Sequence, residues 1–156
     1  MPSTISLPEQ GETQSFLSDL AGQNIPTTSK DGSVDVYAVA EYADQDGTVI
    51  GLIGCDLPAA ARLGAILTRI PKGAVEDTIK TREFPDHIAE NLGETLNIAS
   101  NLFPSHNERR ICLTRMLLDG EASQYVEAAN IDESVNFDVD IAGYGPGSIV
   151  IANIGE

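Results

Sequence analysis

Residues 84–103 read FPDHIAENLGETLNIASNLF, and this stretch decides the fold. Wound as an α-helix at about 100° per residue, it gathers apolar side chains on one side and acids and carboxamides on the other. The polar strip is roughly 60° wide in the same geometry and contains no Lys or Arg. We therefore predict an amphipathic helix with an anionic outer face. Its inner face comprises Phe84, Ile88, Leu92, Thr95, Ala99 and Leu102, and its polar strip comprises Glu83, Glu90, Glu94, Asn97 and Asn101.

Gly93 lies in the middle of this predicted helix, where glycine costs about 1 kcal/mol relative to alanine. Two interpretations are open. Another backbone approaches the helix closely at Gly93, or the glycine is incidental.

The length of 156 residues fits one domain with a single hydrophobic core. Hydrophobic residues make up 42% of the chain and charged residues 21%, which is a globular composition. Residues 1–11 contain two prolines and a glycine, so we predict a flexible N-terminus there and a single domain over residues 12–156.

The net charge of −15 comes from 24 acids and 9 bases. It argues against a nucleic-acid partner or an anionic membrane, because phosphate groups are bound by clustered Lys and Arg. No apolar run approaches the ~20 residues that a membrane span needs, and the N-terminus lacks the pattern of a signal peptide. We therefore expect a cytoplasmic protein and leave a basic protein partner open. Cys55 and Cys112 lie in apolar runs without a CxxC spacing, and we expect both to be reduced and buried.

The remaining pattern predicts an α+β domain of two long helices and a short N-terminal helix on a mainly antiparallel sheet. Helices are predicted over 12–21 and 57–67, the second with Asp56 as N-cap. Runs 34–42 and 48–55 predict a hairpin, and strands are predicted over 109–118, 135–141 and 148–154. The pattern of residues 126–131 fits either a further strand or a connector. The pattern of residues 74–82 predicts a helical turn.

The standard catalytic and binding motifs do not occur. The chain contains no GxGxxG, GxxxxGK[ST] or GxSxG motif, and residues 143–147 predict a hairpin turn. His87 and His106 are too far apart in sequence to suggest paired ligands, so we predict no metal site.

Glu94 and Asn97 are the candidate site because residues three apart meet on one helix face. A carboxamide can donate to and accept from one water, and a carboxylate can pair with a partner's cation. Together they suit hydrolysis of an acyl phosphate on another protein, which needs positioning and charge stabilisation more than a strong nucleophile. A solvated helix face with incidental amides remains an open alternative at this point.

Residues 90–101, ENLGETLNIASN, resemble the signature helix of the CheC/CheX/FliY phosphatases of bacterial chemotaxis. The order of elements over about residues 33–154 resembles that family too, and the single motif is most similar to CheX. Two positions depart from the family pattern. Glu90 replaces the usual Asp or Ser, and Gly120 lies where the family has a proline.

The resemblance implies dephosphorylation of a CheY-type response regulator. Asn97 would orient the attacking water, Glu94 would pair with a lysine of the partner, and Glu90 and Asn101 would contact the partner. The resemblance implies no cofactor in this chain, Mg²⁺ in the partner receiver domain, and a homodimer. An alternative is a catalytically weak CheX-like domain that binds a receiver or a flagellar-switch protein. A third is a small-molecule-binding domain, which would need a deep apolar pocket.

Overall fold

The computed structural model describes residues 7–103, 111–141 and 143–155. His106 and the first residues of the strand predicted from residue 109 lie outside these ranges. In chain order the elements are α1 (Gln10–Ala21), β1 (Thr27–Ser29), β2 (Ala38–Ala43), β3 (Val49–Cys55), α2 (Leu57–Ile66), α3 (Lys72–Thr81), α4 (Asp86–Ile98), a 3₁₀ segment (Ala99–Leu102), β4 (Cys112–Leu118), α5 (Gly120–Ala128), β5 (Ile131–Ile141) and β6 (Gly145–Ile154).

The strands form one six-stranded sheet in the order β1-β5-β6-β3-β2-β4, and every neighbouring pair is antiparallel. The predicted hairpin is confirmed, since β2 pairs with β3 and Ala38 faces Cys55. The hairpin predicted around residues 143–147 is present, because β5 pairs with β6 up to Ile141 and Gly145. The turn is shorter than predicted, since residues 145–147 already belong to β6. These elements confirm the predicted α+β class.

The sheet is covered on both faces, and this changes the interpretation of the central hairpin. Tyr42 and Ile53 pack in the main core together with Leu63 of α2 and Leu92 of α4. Val39 and Leu52 point to the other face and pack with Ala122 of α5. Strands β2 and β3 are therefore buried on both sides, which explains why their sequences are apolar almost throughout.

Helix α5 was not predicted. Residues 120–128 form a helix, whereas the sequence suggested a strand or a connector over residues 126–131, and β5 begins only at Ile131. The helix is nine residues long and buries Ala122 fully, so its apolar periodicity in the sequence is weak. Residues 72–81 likewise form a complete helix, α3, rather than a single helical turn.

The two cysteines differ in exposure. Cys55 is buried in the core, as predicted, but Cys112 is exposed. The prediction for Cys112 is wrong because β4 is an edge strand, paired within the described sheet with β2 alone. An edge strand is less covered by neighbours than an inner strand of the same composition. Among the described residues, no helix is long and apolar enough to cross a membrane.

Candidate functional site

The predicted amphipathic helix is present as α4, followed directly by the 3₁₀ segment. Ile88, Leu92 and Thr95 are buried on its inner side. Pro85 precedes its first residue and Asp86 lies in its first turn, where a negative charge suits the helix dipole. The polar strip is exposed along its whole length, as predicted; its members are Glu83, Glu90, Glu94, Asn97 and Asn101.

Asn101 lies on a different kind of helix from Glu94 and Asn97. α4 ends at Ile98, and residues 99–102 wind as a 3₁₀ helix. A 3₁₀ helix turns about 120° per residue instead of 100°, so the predicted angular position of Asn101 relative to Asn97 is not retained. Glu90, Glu94 and Asn97 share the regular helix, whereas Asn101 extends the exposed surface beyond its end.

The Glu94 and Asn97 side chains are available to a partner. Both are exposed on one face of α4, and among residues 7–103, 111–141 and 143–155 neither has a hydrogen bond or an ion pair. In contrast, the neighbouring Asn91 donates to the Thr68 hydroxyl at 2.8 Å. The structure therefore brings together the two predicted catalytic residues with their polar atoms directed to solvent.

The end of α4 is fixed from behind by Tyr42. The buried Tyr42 hydroxyl donates to the Leu96 carbonyl at 2.5 Å, one residue before Asn97. Burial raises the pKa of Tyr42 well above its usual value, so the hydroxyl remains a donor. The Tyr42 ring lies 4.9 Å from the ring of Phe103, which packs over Gly51 in β3. The backbone that positions Asn97 is thus connected to the centre of the sheet.

A second hydrogen bond and a close helix contact support the middle of α4. The buried Thr95 hydroxyl donates to the Leu63 carbonyl of α2 at 3.2 Å. A Cβ atom on Gly64 would lie 2.8 Å from the Ile88 carbonyl oxygen, so this glycine allows α2 and α4 to touch. The closely approached glycine is therefore Gly64. Nothing within the described chain lies within 4 Å of a Cβ added at Gly93, so the predicted close approach does not occur there within this chain.

The beginning of α4 is fixed by an aromatic cluster that the sequence did not reveal. Phe84 stacks on Tyr37 with ring centroids 5.2 Å apart, and the Arg82 guanidinium lies 5.2 Å from the Tyr37 ring. The Tyr37 hydroxyl donates to the Arg82 carbonyl at 2.8 Å. Arg82 also pairs with Asp119, which directly precedes Gly120.

Tyr42 could have been recognised in the sequence. It shares the strand face of Ala38 and Ala40, which the alternation assigns to the interior, and two alanines leave room for a large neighbour. Its hydrogen-bond partner could not be inferred, because Leu96 is 54 residues away.

The described residues contain no group of three or more His, Cys, Asp or Glu side chains that could hold a metal ion. Glu83, at the beginning of the strip, lines one surface depression together with Thr78 and Phe84. None of the depressions described among these residues includes Glu90, Glu94, Asn97 or Asn101. The arrangement is an open, anionic helix face that suits contact with another macromolecule.

Comparison with solved structures shows the fold. FliM in a complex with SpeE from H. pylori aligns with a TM-score of 0.62 and 11% identity, over 93% of this chain and 81% of that one. FliY from Thermotoga maritima aligns with a TM-score of 0.57 and 13% identity, over 94% and 84%. The FliM middle domain from Vibrio alginolyticus gives 0.54 and 15% identity, over 92% and 86%.

No protein-family model matches the chain, and no curated protein matches it. The predicted resemblance is confirmed at the level of the fold, which this chain shares with FliY and the FliM middle domain.

Proposed function

We propose that the protein is a phosphatase that accelerates hydrolysis of the aspartyl phosphate of a CheY-type response regulator. One observation carries the proposal. Glu94 and Asn97 are exposed three residues apart on a helix whose inner side is hydrogen bonded to the core at Thr95 and Leu96. A rigid helix presents the two side chains in a fixed relation, which is what positioning of a water requires.

In the proposed reaction, a water attacks the phosphorus atom opposite the aspartyl oxygen. A new oxygen–phosphorus bond forms, the bond from phosphorus to the aspartyl oxygen breaks, and the products are inorganic phosphate and a free carboxylate. The water's protons leave with the phosphate or to solvent. The Asn97 carboxamide can accept a hydrogen bond from the water and donate one to the phosphoryl group, which sets the line of attack.

Glu94 supplies the anionic contact of the complex. Its carboxylate can pair with a lysine at the partner's active site, and this pair loses water when the surfaces meet. Mg²⁺ belongs to the partner receiver in this proposal. Glu90 and Asn101 extend the exposed surface on either side and contact the partner without a role in the chemistry.

The missing side chain of Gly93 also supports docking of a partner on α4. On an ideal helix it lies about 40° from Asn97, at the border of the strip. Since no atom of the described chain would approach a Cβ at this position, the missing side chain exposes backbone beside Asn97. A loop of the partner can approach the helix closely there, so Gly93 favours the docked complex at the expense of helix propensity.

The test adds the purified protein to a phosphorylated CheY-type receiver with Mg²⁺ and follows the loss of phosphate. We expect acceleration that falls about a hundredfold in Asn97→Ala, because the attacking water is no longer oriented. We expect Glu94→Ala to weaken the complex by about tenfold or more, because the partner's lysine is left unpaired. Unchanged hydrolysis in both variants would refute the proposal.

α5 offers a matched pair of control substitutions. Gln124 and Glu127 are an exposed carboxamide and carboxylate three residues apart on the opposite face of the sheet. Gln124→Ala and Glu127→Ala remove the same chemical groups without touching α4. Both variants should keep full activity. If these control variants lost as much phosphatase activity as the α4 variants, the loss would be caused by a general change in charge or stability and not by the Glu94–Asn97 site.

The second candidate function is binding without hydrolysis. The fold favours it as well, since solved FliM structures of this fold are complexes with SpeE and with FliG. In that case the receiver or switch protein binds, Glu94→Ala weakens binding, and phosphate is lost no faster than from the receiver alone. Measuring binding by fluorescence anisotropy beside phosphate release separates the two functions.

The location and assembly belong to the same proposal. A receiver-domain partner places the protein in the cytoplasm. A homodimer is expected from the resemblance to CheX, and sedimentation equilibrium of the purified chain tests it. A monomer at micromolar concentration would refute the dimer without affecting the assignment of Glu94 and Asn97.

A further inference from the structure

Of the seven basic residues in the described ranges, four are paired with a carboxylate and three are not. Four of those in the described ranges lie within 4 Å of a carboxylate; they are Lys30, Arg62, Arg82 and Arg115. Within the same ranges, Arg69, Lys72 and Lys80 have no such partner. These three cations are available to an external anion, although the chain as a whole has 24 acids and 9 bases.

Arg69 and Lys72 line the same depression, which has a volume of about 340 Å³. Its other walls are the end of α1 with Gly22 and Gln23, Ile66 of α2, and the turn at Gly143 and Tyr144. No carboxylate is among the lining residues. The depression is therefore a positively charged site on a strongly negative protein, with a size typical of small-ligand sites.

Arg69 occupies a backbone position that favours glycine. Its φ is +53°, and the Ile70 N–H donates to the Ala65 carbonyl at 3.2 Å, which is the helix-ending motif that usually contains glycine. Arg82 ends α3 in a similar conformation, but its side chain pairs with Asp119 and covers Tyr37. Within the described chain the Arg69 guanidinium has no carboxylate within 4 Å, so an arginine at this unfavourable backbone position supports a binding role for its side chain.

The walls of the depression are fixed by contacts between distant elements. The Tyr144 hydroxyl donates to the Ile70 carbonyl at 2.6 Å, which joins the β5–β6 turn to the loop between α2 and α3. Arg62 donates to the Pro146 carbonyl and, at 3.0 Å, to Glu76 of α3. These contacts form the site before any ligand arrives, and a preformed site loses less conformational freedom on binding.

We propose that this depression binds the phosphate group of a small organic phosphate. The Arg69 guanidinium can donate two parallel hydrogen bonds to phosphate oxygens, and the Lys72 ammonium adds a second positive charge. Lys72 is also the first residue of the ten-residue helix α3, and the beginning of a helix adds positive potential for an anion. Ile66 and the ring of Tyr144 provide apolar surface for the organic part of the ligand.

The test titrates the ¹⁵N-labelled full chain with phenyl phosphate at constant ionic strength and follows amide chemical shifts. We expect saturable shifts at Lys72, Gly73 and Gly143, and weaker binding of inorganic phosphate because it lacks the apolar part. Removing one charged hydrogen-bond donor should weaken binding about tenfold, and Lys72→Ala and Arg69→Gly each do so. Arg69→Gly also relieves the positive φ, so its loss of binding cannot result from unfolding.

Lys80→Ala is the matched control, because Lys80 is also unpaired within the described chain and exposed but lies at the other end of α3. It removes the same charge and should leave the affinity unchanged. Shifts that do not saturate, or an equal loss in Lys80→Ala, would overturn the site and indicate general attraction of anions. Equal affinities for phenyl phosphate and inorganic phosphate would show that the depression does not bind the organic part of the ligand, which would contradict the proposal.

Discussion

Gly64 of α2 lies directly against the backbone of Ile88 in α4: an added Cβ atom would be 2.8 Å from the Ile88 carbonyl oxygen. Because the nearby Ile88 oxygen belongs to the backbone of α4, it cannot move aside as a flexible side chain could. This contact sets the distance between the two helices and hence the height at which the Glu94–Asn97 face stands above the sheet.

Gly64→Ala should destabilise the protein by about 1–3 kcal/mol, because the extra methyl group forces α2 and α4 apart. Gly93→Ala is the matched control in α4. Nothing within the described chain approaches that position, so the substitution should stabilise the fold by about 1 kcal/mol through helix propensity. Urea unfolding of both variants checks that the free energy of unfolding falls in Gly64→Ala and rises in Gly93→Ala. If our proposal for Gly93 is right, Gly93→Ala also slows dephosphorylation while it stabilises the protein.

Tyr42→Phe should cost about 1–3 kcal/mol of stability, because it leaves the buried Leu96 carbonyl without its donor. The loosened end of α4 should also lower phosphatase activity, since Asn97 follows Leu96 directly. Tyr125→Phe is the control: its hydroxyl donates to Glu41 at 2.5 Å on the side of the sheet that faces α5. We expect that variant to lose stability and keep its activity. Equal activity losses in the two variants would contradict a specific role of Tyr42.

The stability should depend on the charge of Glu41 at acid pH. Burial alone would raise the pKa of Glu41, but hydrogen bonds from Tyr125 and Thr114 and the charge of Arg115 lower it below its ordinary 4.5. The unfolded chain therefore binds the proton more readily, and the stabilisation is present above pH 4.5 and lost as the pH falls through the lower folded-state pKa.

Urea midpoints measured for the wild type and for Glu41→Gln at pH 7 and at stepwise lower pH check this dependence. The difference between the two proteins should shrink as the pH falls. Glu127→Gln is the control, because it removes an exposed carboxylate that has none of these three contacts within the described chain. If the Glu41→Gln difference does not shrink as the pH falls, or shrinks no more than that of Glu127→Gln, the three partners do not stabilise the charge of Glu41.

The anionic face should make receiver binding sensitive to salt. Raising NaCl from about 0.1 M to about 1 M shortens the Debye length from about 10 Å to about 3 Å. We expect the association rate constant to fall about tenfold over this range, because the acids of the strip no longer attract the partner from a distance. Stopped-flow fluorescence measures this rate constant. Glu90→Gln should weaken its dependence on salt concentration. If the salt dependence is unchanged in Glu90→Gln, Glu90 does not belong to the docking surface.

The two thiols should react differently with a disulfide reagent. Cys112 is exposed and should react quickly in the native protein, whereas Cys55 is fully buried and burial raises its pKa. One equivalent of thiol is therefore expected under native conditions and two in denaturant. Cys112→Ser should abolish the fast reaction. Two fast thiols in the native wild type would contradict the packing of β3.

The sequence by itself determined the elements whose patterns are strong and local. The 3.6-residue periodicity of residues 84–103 identified α4 and its exposed strip, and period-two alternation identified the hairpins β2–β3 and β5–β6. Asp56 located the beginning of α2, where its side chain accepts a hydrogen bond from the Ala59 N–H as an N-cap. The spacing of Glu94 and Asn97 selected the candidate site, because helix geometry alone places residues three apart on one face.

Only the tertiary structure decided what covers each surface and which glycine is closely packed. α5 is short and contributes few buried residues, so its place on the second face of the sheet left little trace in the sequence. Gly64 and Gly93 each follow a leucine within a helix, yet within the described chain only Gly64 of the two meets another helix. The anchors of α4, from Tyr42 to Leu96 and from Tyr37 to Phe84, join residues about 50 positions apart, a separation over which local patterns carry no information.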